Sequence, residues 1–246
     1  GAWQAQSQDP ELGALHVVSI VSSSHQVITW YRQENGAFVR TMGGSWELMD
    51  DRWTLTVEFD STQSDLVGST QEYTVTPTAT GYYMAPLGLH FSQIDAGTPG
   101  ALAGAWLMSG RKQDGQISTR STDGPRKTMK ILSGTRFQWI AYNTETKSFM
   151  GSGGGTYTTE NGQYTEHIEF FSRDQTRVGA TLPFDFTLVD DRIVCPEQEL
   201  PMLITVKCFG DKAFNLNFNS MLFPKFTFQA VLLRFSLFNF PAGKFP

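Results

Sequence analysis

The acid most open to a chemical role is Glu166. It sits in GGGTYTTENGQYTEHIEF, residues 153–170, on a run whose alternate positions are aromatic or aliphatic. A carboxylate taken out of water is costly unless hydroxyls hydrogen-bond it, an Arg or Lys pairs with it, or a water-filled cavity reaches it. Tyr157 and Tyr164 carry phenols in the same hairpin. Together the three would read the polar or cationic end of a small molecule. The plainer reading is a structural hydrogen bond, Tyr157 donating to Glu166.

Arg40 is the parallel candidate in the first half of the chain. It shares a parity with Phe38, Met42, Gly44 and Trp46, and points inward unless the glycine pair carries a bulge. Trp46, Trp53 and Trp139 complete the set expected to line a ligand. The densest basic stretch, PRKTMK at 125–130, should put Arg126, Lys127 and Lys130 on a strand edge or rim, the alternative being a place for an anionic ligand head group at the barrel mouth. GSGGG at 151–155 lacks the helix and Lys-Ser/Thr of a phosphate loop. In a sheet wall such glycines let an aromatic side chain approach closely from across the interior.

No catalytic group, metal site or cofactor is expected. Glu166 and Glu169 have opposite parity and cannot work as a pair. His167 projects outward, His16 begins a strand, His25 falls in the polar turn SSSH, and His90 lies near a linker, so none is placed to hold haem. Cys195 and Cys208 both lie near the end of the chain, as a disulfide or as two buried thiols.

The elements that must position these groups are strands. Val, Thr, Tyr, Phe and Trp alternate with polar residues, turn signals recur about every ten residues, and helix signals are nearly absent. Asn161-Gly162 is a two-residue turn signal in which both positions favour φ > 0. It sets Glu160 opposite Gln163, Thr159 opposite Tyr164 and Tyr157 opposite Glu166. Residues opposite one another share a face. Tyr157, Thr159, Tyr164, Glu166, Ile168 and Phe170 then lie on one side, and Thr156, Thr158, Thr165, His167 and Glu169 on the other.

The chain also resembles itself. GAW occurs at 1–3 and 104–106, and an offset of 111 places residues 20–76 on 131–187 without a gap, 15 of 57 positions being identical. Tyr31 falls on Tyr142, Glu58-Phe59 on Glu169-Phe170, and Gly43-Gly44 on Gly154-Gly155. The first-half equivalents of the hairpin's first face are Trp46, Leu48, Trp53, Leu55, Val57 and Phe59, which marks that face as the core. Glu166 thus replaces Leu55 at an interior position. The expected organisation is a barrel over 1–95, a linker over 96–103, a second barrel over 104–192, and an atypical Phe-rich tail over 193–246.

Net charge is −5 and no Lys/Arg run forms a phosphate-binding stripe, so nucleic acid is a poor partner. Residues 222–240 are apolar, but Pro224, Lys225 and Arg234 interrupt them and no membrane span is expected. Oligomeric state stays open.

GAW at each repeat start resembles the G-x-W that opens lipocalin-like (calycin) barrels. KILSGTRFQWIAYNTETKSFMGSGGGTYTTENGQYTEHIEFFS resembles lipocalin-like domains of secreted or membrane-associated proteins from Bacteroidetes-type bacteria. The resemblance covers 104–187 and, through the repeat, 1–76. It implies an all-β fold of two tandem antiparallel up-and-down barrels, the second either incomplete or closed by the atypical tail. It also implies structural roles for Trp3 and Trp106 and a secreted, periplasmic or cell-envelope location. The function it implies is non-catalytic binding of a small, largely apolar or amphipathic molecule. The alternative is a structural module of the envelope with filled barrels.

Overall fold

Period-two alternation over short segments, broken by Gly, Asn and Asp turns, builds strands almost throughout. The computed structural model describes residues 1–98, 100–113, 116–189, 192–194 and 203–205, with the backbone alone for 111–113, 116–117, 187–189, 192–194 and 203–205. Both cysteines and the apolar stretch 222–240 lie outside the described residues. Among those residues no helix is long and apolar enough to cross a membrane.

The first eight strands are β1 (Ala2–Asp9), β2 (Gly13–Val21), β3 (His25–Arg32), β4 (Phe38–Met49), β5 (Arg52–Asp60), β6 (Thr70–Pro77), β7 (Gly81–Ala85) and β8 (Leu89–Asp95). Each pairs antiparallel with the next, and β8 returns to β1, closing the barrel. An eight-stranded barrel has an interior just wide enough for side chains to fill it or for one small ligand. This architecture is compatible with a lipocalin-like fold.

Ten further strands form a second sheet: β9 (Gly104–Gln113), β10 (Gln116–Thr119), β11 (Arg126–Leu132), β12 (Arg136–Asn143), β13 (Ser148–Glu160), β14 (Gln163–Phe171), β15 (Thr181–Asp185), β16 (Thr187–Val189), β17 (Arg192–Val194) and β18 (Leu203–Thr205). The order is β15-β14-β13-β12-β11-β9-β18-β17-β16, with β10 on β9. The ladder does not close. Its two end strands are nevertheless consecutive in the chain, with only Phe186 between them. The tail takes part, because β18 pairs with β9, Ile204 opposite Met108.

The β13–β14 hairpin has the expected register, with Tyr157 opposite Glu166 and Thr159 opposite Tyr164. Asn161 and Gly162 take φ of 52° and 79°, as a primed turn requires. Bulges then correct the simple parity. On β5, Gly44 faces Val57 and Gly43 faces Phe59, which leaves Glu58 as the extra residue. On β14, Gly155 faces Ile168 and Gly154 faces Phe170, which leaves Glu169. An extra residue shifts everything beyond it to the other face. Phe59 and Phe170, expected inside, therefore pack outside. A third bulge at Val39 does the same to Phe38, while Arg40 stays on the inner face with Trp30 and Met42.

The outer faces of the two sheets meet in a shared apolar seam. Val18, Ile20, Val27, Tyr31 and Phe59 of the first barrel form one buried cluster with Met129, Ile131, Ile140, Tyr142 and Phe170 of the second sheet.

Candidate functional site

Inside the second sheet, Glu166 is 5% exposed, while His167 beside it points to solvent. Its partner is Lys130, whose ammonium donates to Glu166 Oε1. Since β12 and β13 lie between β11 and β14, Lys130 reaches across the interior to make this pair. The ammonium also lies 4.8 Å over the Tyr164 ring and 5.4 Å over Phe137, favourable positions for a cation on an aromatic face. Two expectations are corrected here. Lys130 is not on a rim but buried. Tyr157 does not bond Glu166, because its hydroxyl donates to Ser133 O at 2.5 Å. Tyr164 does lie in this cluster, its ring 5.3 Å from that of Tyr157.

Trp106 fills the space beside them, its Nε1 donating to Leu102 O at 2.8 Å. Trp139 shares the inner face with Lys130 and packs edge-on against Phe171. Gly153 makes room for it: a Cβ there would stand 2.7 Å from Trp139 Nε1. The aromatic that comes close is thus Gly153's own partner on the neighbouring strand, not one reaching from across the interior.

In the first barrel, Leu55 occupies the place equivalent to Glu166 and is fully buried. Arg40 lies over the Trp30 ring, 5.4 Å from its centroid, and donates to Asp60 Oδ2 at 2.6 Å. Asp60 is buried, and its other oxygen accepts from the Thr62 and Gln63 amides and the Thr62 hydroxyl. Trp46 and Trp53 stack at 4.1 Å, with Trp46 Nε1 donating to Ser22 O. Trp3 packs edge-on against Tyr82.

Sequence reasoning missed the seam as a place for polar chemistry. Tyr31 donates to Glu169 Oε2 at 2.6 Å, and Arg136 donates to the same oxygen. Reciprocally, Tyr142 donates to Glu58 Oε2, and His25 Nε2 meets Glu58 Oε1 at 3.2 Å. Every one of these pairs maps onto its counterpart by the offset of 111. Phe38 stacks on Phe149, its own counterpart, with ring planes 4° apart. At the centre Gln138 accepts from Thr29 Oγ1 and donates to Thr41 Oγ1 and Ser152 Oγ. A contact in which residue i meets j and j meets i is that of a two-fold interface. The available signal was that Tyr and Glu recur in both halves at positions of outward parity.

No known family, curated protein or solved structure matches this chain.

The electrostatics of the seam follow from its geometry. Burial opposes charge on Glu58, but hydrogen bonds from His25 and Tyr142 and the charge of Lys127 outweigh it and hold the carboxyl below its usual range. Burial and the facing carboxylates push the Tyr31 and Tyr142 phenols well up, so both remain donors. A group with a depressed folded pKa stabilises the fold above its unfolded value, and the benefit disappears as pH falls through the folded one. Acid titration of stability should therefore show a Glu58 component below about pH 4.5 that Glu58→Gln abolishes. Tyr142→Phe should cost about 1.5–3 kcal/mol in urea unfolding, as for a hydrogen bond to a charged group. Identical acid profiles for the wild type and Glu58→Gln would refute the assignment.

A cleft of about 250 Å³ opens on the His25 side of the seam, lined by residues of both sheets. Within it Ser24 Oγ lies 2.8 Å from His25 Nδ1, so Ser24, His25 and Glu58 form a hydrogen-bonded row. Acyl transfer would also need donors for an oxyanion. The amides of Ser24 and His25 are both spent on Ser22 Oγ. Ser24 and Glu58 thereby hold the His25 ring at both nitrogens.

Proposed function

We propose that the chain is a non-catalytic module with two lipocalin-like halves derived by duplication, serving the cell envelope as a rigid interaction unit with filled interiors. The observation that carries this reading is the buried pair of Lys130 and Glu166. A carboxylate kept to read an incoming ligand would face a void, whereas this one is neutralised from across the interior and roofed by aromatic rings. The reciprocal seam supports rigidity, because charge-assisted hydrogen bonds at both ends oppose rocking of one sheet on the other. N-phenylnaphthylamine, a neutral apolar dye that brightens when enclosed, tests it. The intact protein should leave its emission near the buffer value. Saturable enhancement that survives dilution would overturn the filled-barrel reading.

One feature favours a second reading, uptake of a small, largely apolar ligand by the first barrel. Trp53 is buried with its Nε1 bonded to nothing among the described residues, and Arg40 Nε is likewise unsatisfied. Buried donors of this kind need a partner. Such a ligand would touch Trp46, Trp53 and Arg40, and the dye would then quench tryptophan emission in step with its own enhancement.

A further inference from the structure

We infer that the groove beside Arg126 binds a phosphate monoester, a phosphate group on a small organic body. The groove has no counterpart in the first barrel. From Gly1 to Gly104 the two copies stand 103 residues apart, and from Ile20 to Ile131 they stand 111 apart, so eight residues are added between. In the first barrel β1 and β2 keep one register, from Ala2 opposite Ile20 to Asp9 opposite Gly13. In the second sheet β11 pairs with β9 only from Met129 opposite Leu107 to Leu132 opposite Gly104. Carried further, that register would set Arg126 opposite Gly110, but Thr119 of β10 already holds that place. Residues 120–125 leave the ladder, and a groove of about 510 Å³ opens between β9, β10 and Arg126.

The added segment is tied down at several points. The Arg120 amide donates to Ser109 O at 2.7 Å and its Nε to Met108 O at 2.7 Å, which fastens the loop to β9. The Asp123 amide donates to Ser121 Oγ, Lys127 Nζ to Thr122 O, and the Thr144 amide to Pro125 O. A groove held in shape before its ligand arrives gives up less freedom on binding.

Its walls carry donors that nothing in the fold uses. Among the described residues the Arg126 guanidinium and the Thr119 hydroxyl have no hydrogen-bond or ion-pair partner. Ser121 Oγ accepts from the Asp123 amide, which leaves its own hydrogen to give. An arginine fork spans two oxygens, and hydroxyls on either side reach a third out of that plane. Such a set matches a tetrahedral phosphate better than a flat carboxylate. The local field favours an anion too: residues 111–127 carry five basic and two acidic side chains, in a chain whose net charge is −5. Of those two acids, Asp123 is itself partnered. A phosphate alone would leave most of a groove this size empty, so it comes on a body that rests against the exposed Pro125 ring.

Phenyl phosphate, phenylacetate and phenol, titrated into the full chain and followed by amide ¹⁵N shifts, test this directly. Phenyl phosphate should shift the amides of Thr119, Ser121 and Arg126 in a saturable way. Phenylacetate should bind at least fivefold more weakly, and phenol should leave those amides in place. Arg126→Met should weaken phenyl phosphate at least tenfold, while Arg52→Met, which removes an exposed arginine of the first barrel, leaves it unchanged. Arg126 is itself exposed, so its loss does not threaten the fold. Full affinity in Arg126→Met, or phenylacetate binding as tightly as phenyl phosphate, would overturn the proposal. N-phenylnaphthylamine reports on the barrel interiors, so failure of the filled-barrel reading and failure of this one produce different results.

Discussion

Glu166→Leu is expected to destabilise the protein by roughly 3–5 kcal/mol, and adding Lys130→Met to recover most of that loss. The first change strands an ammonium among Phe137, Tyr157 and Tyr164 with no acid to meet it. The second removes the stranded charge and leaves a side chain of similar reach in an apolar setting. The first barrel shows that the position tolerates an aliphatic residue, for Leu55 is buried there. Urea midpoints of the wild type, both single variants and the double variant would close the cycle. A single variant as stable as the wild type would mean that the acid is solvated, and the case for a hollow, ligand-ready interior would return.

Gly155→Ala should be as damaging, with a loss above about 4 kcal/mol or no soluble protein. A Cβ at Gly155 would stand 2.0 Å from His167 O and 2.8 Å from Glu169 N. Both are backbone atoms of the bulge, so no flexible side chain can yield. Gly44 has the matching problem in the first barrel, 2.0 Å from Thr56 O. Gly124→Ala is the control: nothing lies within 4 Å of its added carbon, and its stability should stay close to wild type. Circular dichroism melts of Gly155→Ala and Gly124→Ala beside the wild type would separate the cases. A Gly155→Ala variant that melts with the wild type would show that the bulge is not fixed as described.

How much of this was legible in the residues depends on distance along the chain. The β13–β14 hairpin was readable to the residue because Asn161-Gly162 fixes the register locally and strict alternation fixes the faces. Interior placement of Glu166 followed from comparison with Leu55. Its partner did not. Lys130 is 36 residues away in sequence, on a strand three places along the sheet, and its neighbours Arg126 and Lys127 suggested a rim. Bulges were the second obstacle. The glycine pairs hinted at them, but the extra residue sits on the facing strand, at Glu58 and Glu169, where no glycine marks it. The seam was hidden for a related reason. Alternation says which face is away from a barrel's interior, and says nothing about whether that face meets water or another sheet.

The reciprocal seam has a thermodynamic consequence. In a homodimer a two-fold contact is lost on dilution, since association depends on protomer concentration. Here both partners belong to one polypeptide, so the contact is held at a fixed effective concentration set by the connecting residues. Contacts too weak to assemble free subunits at cellular abundance can then suffice, and the pairing cannot be lost to subunit exchange.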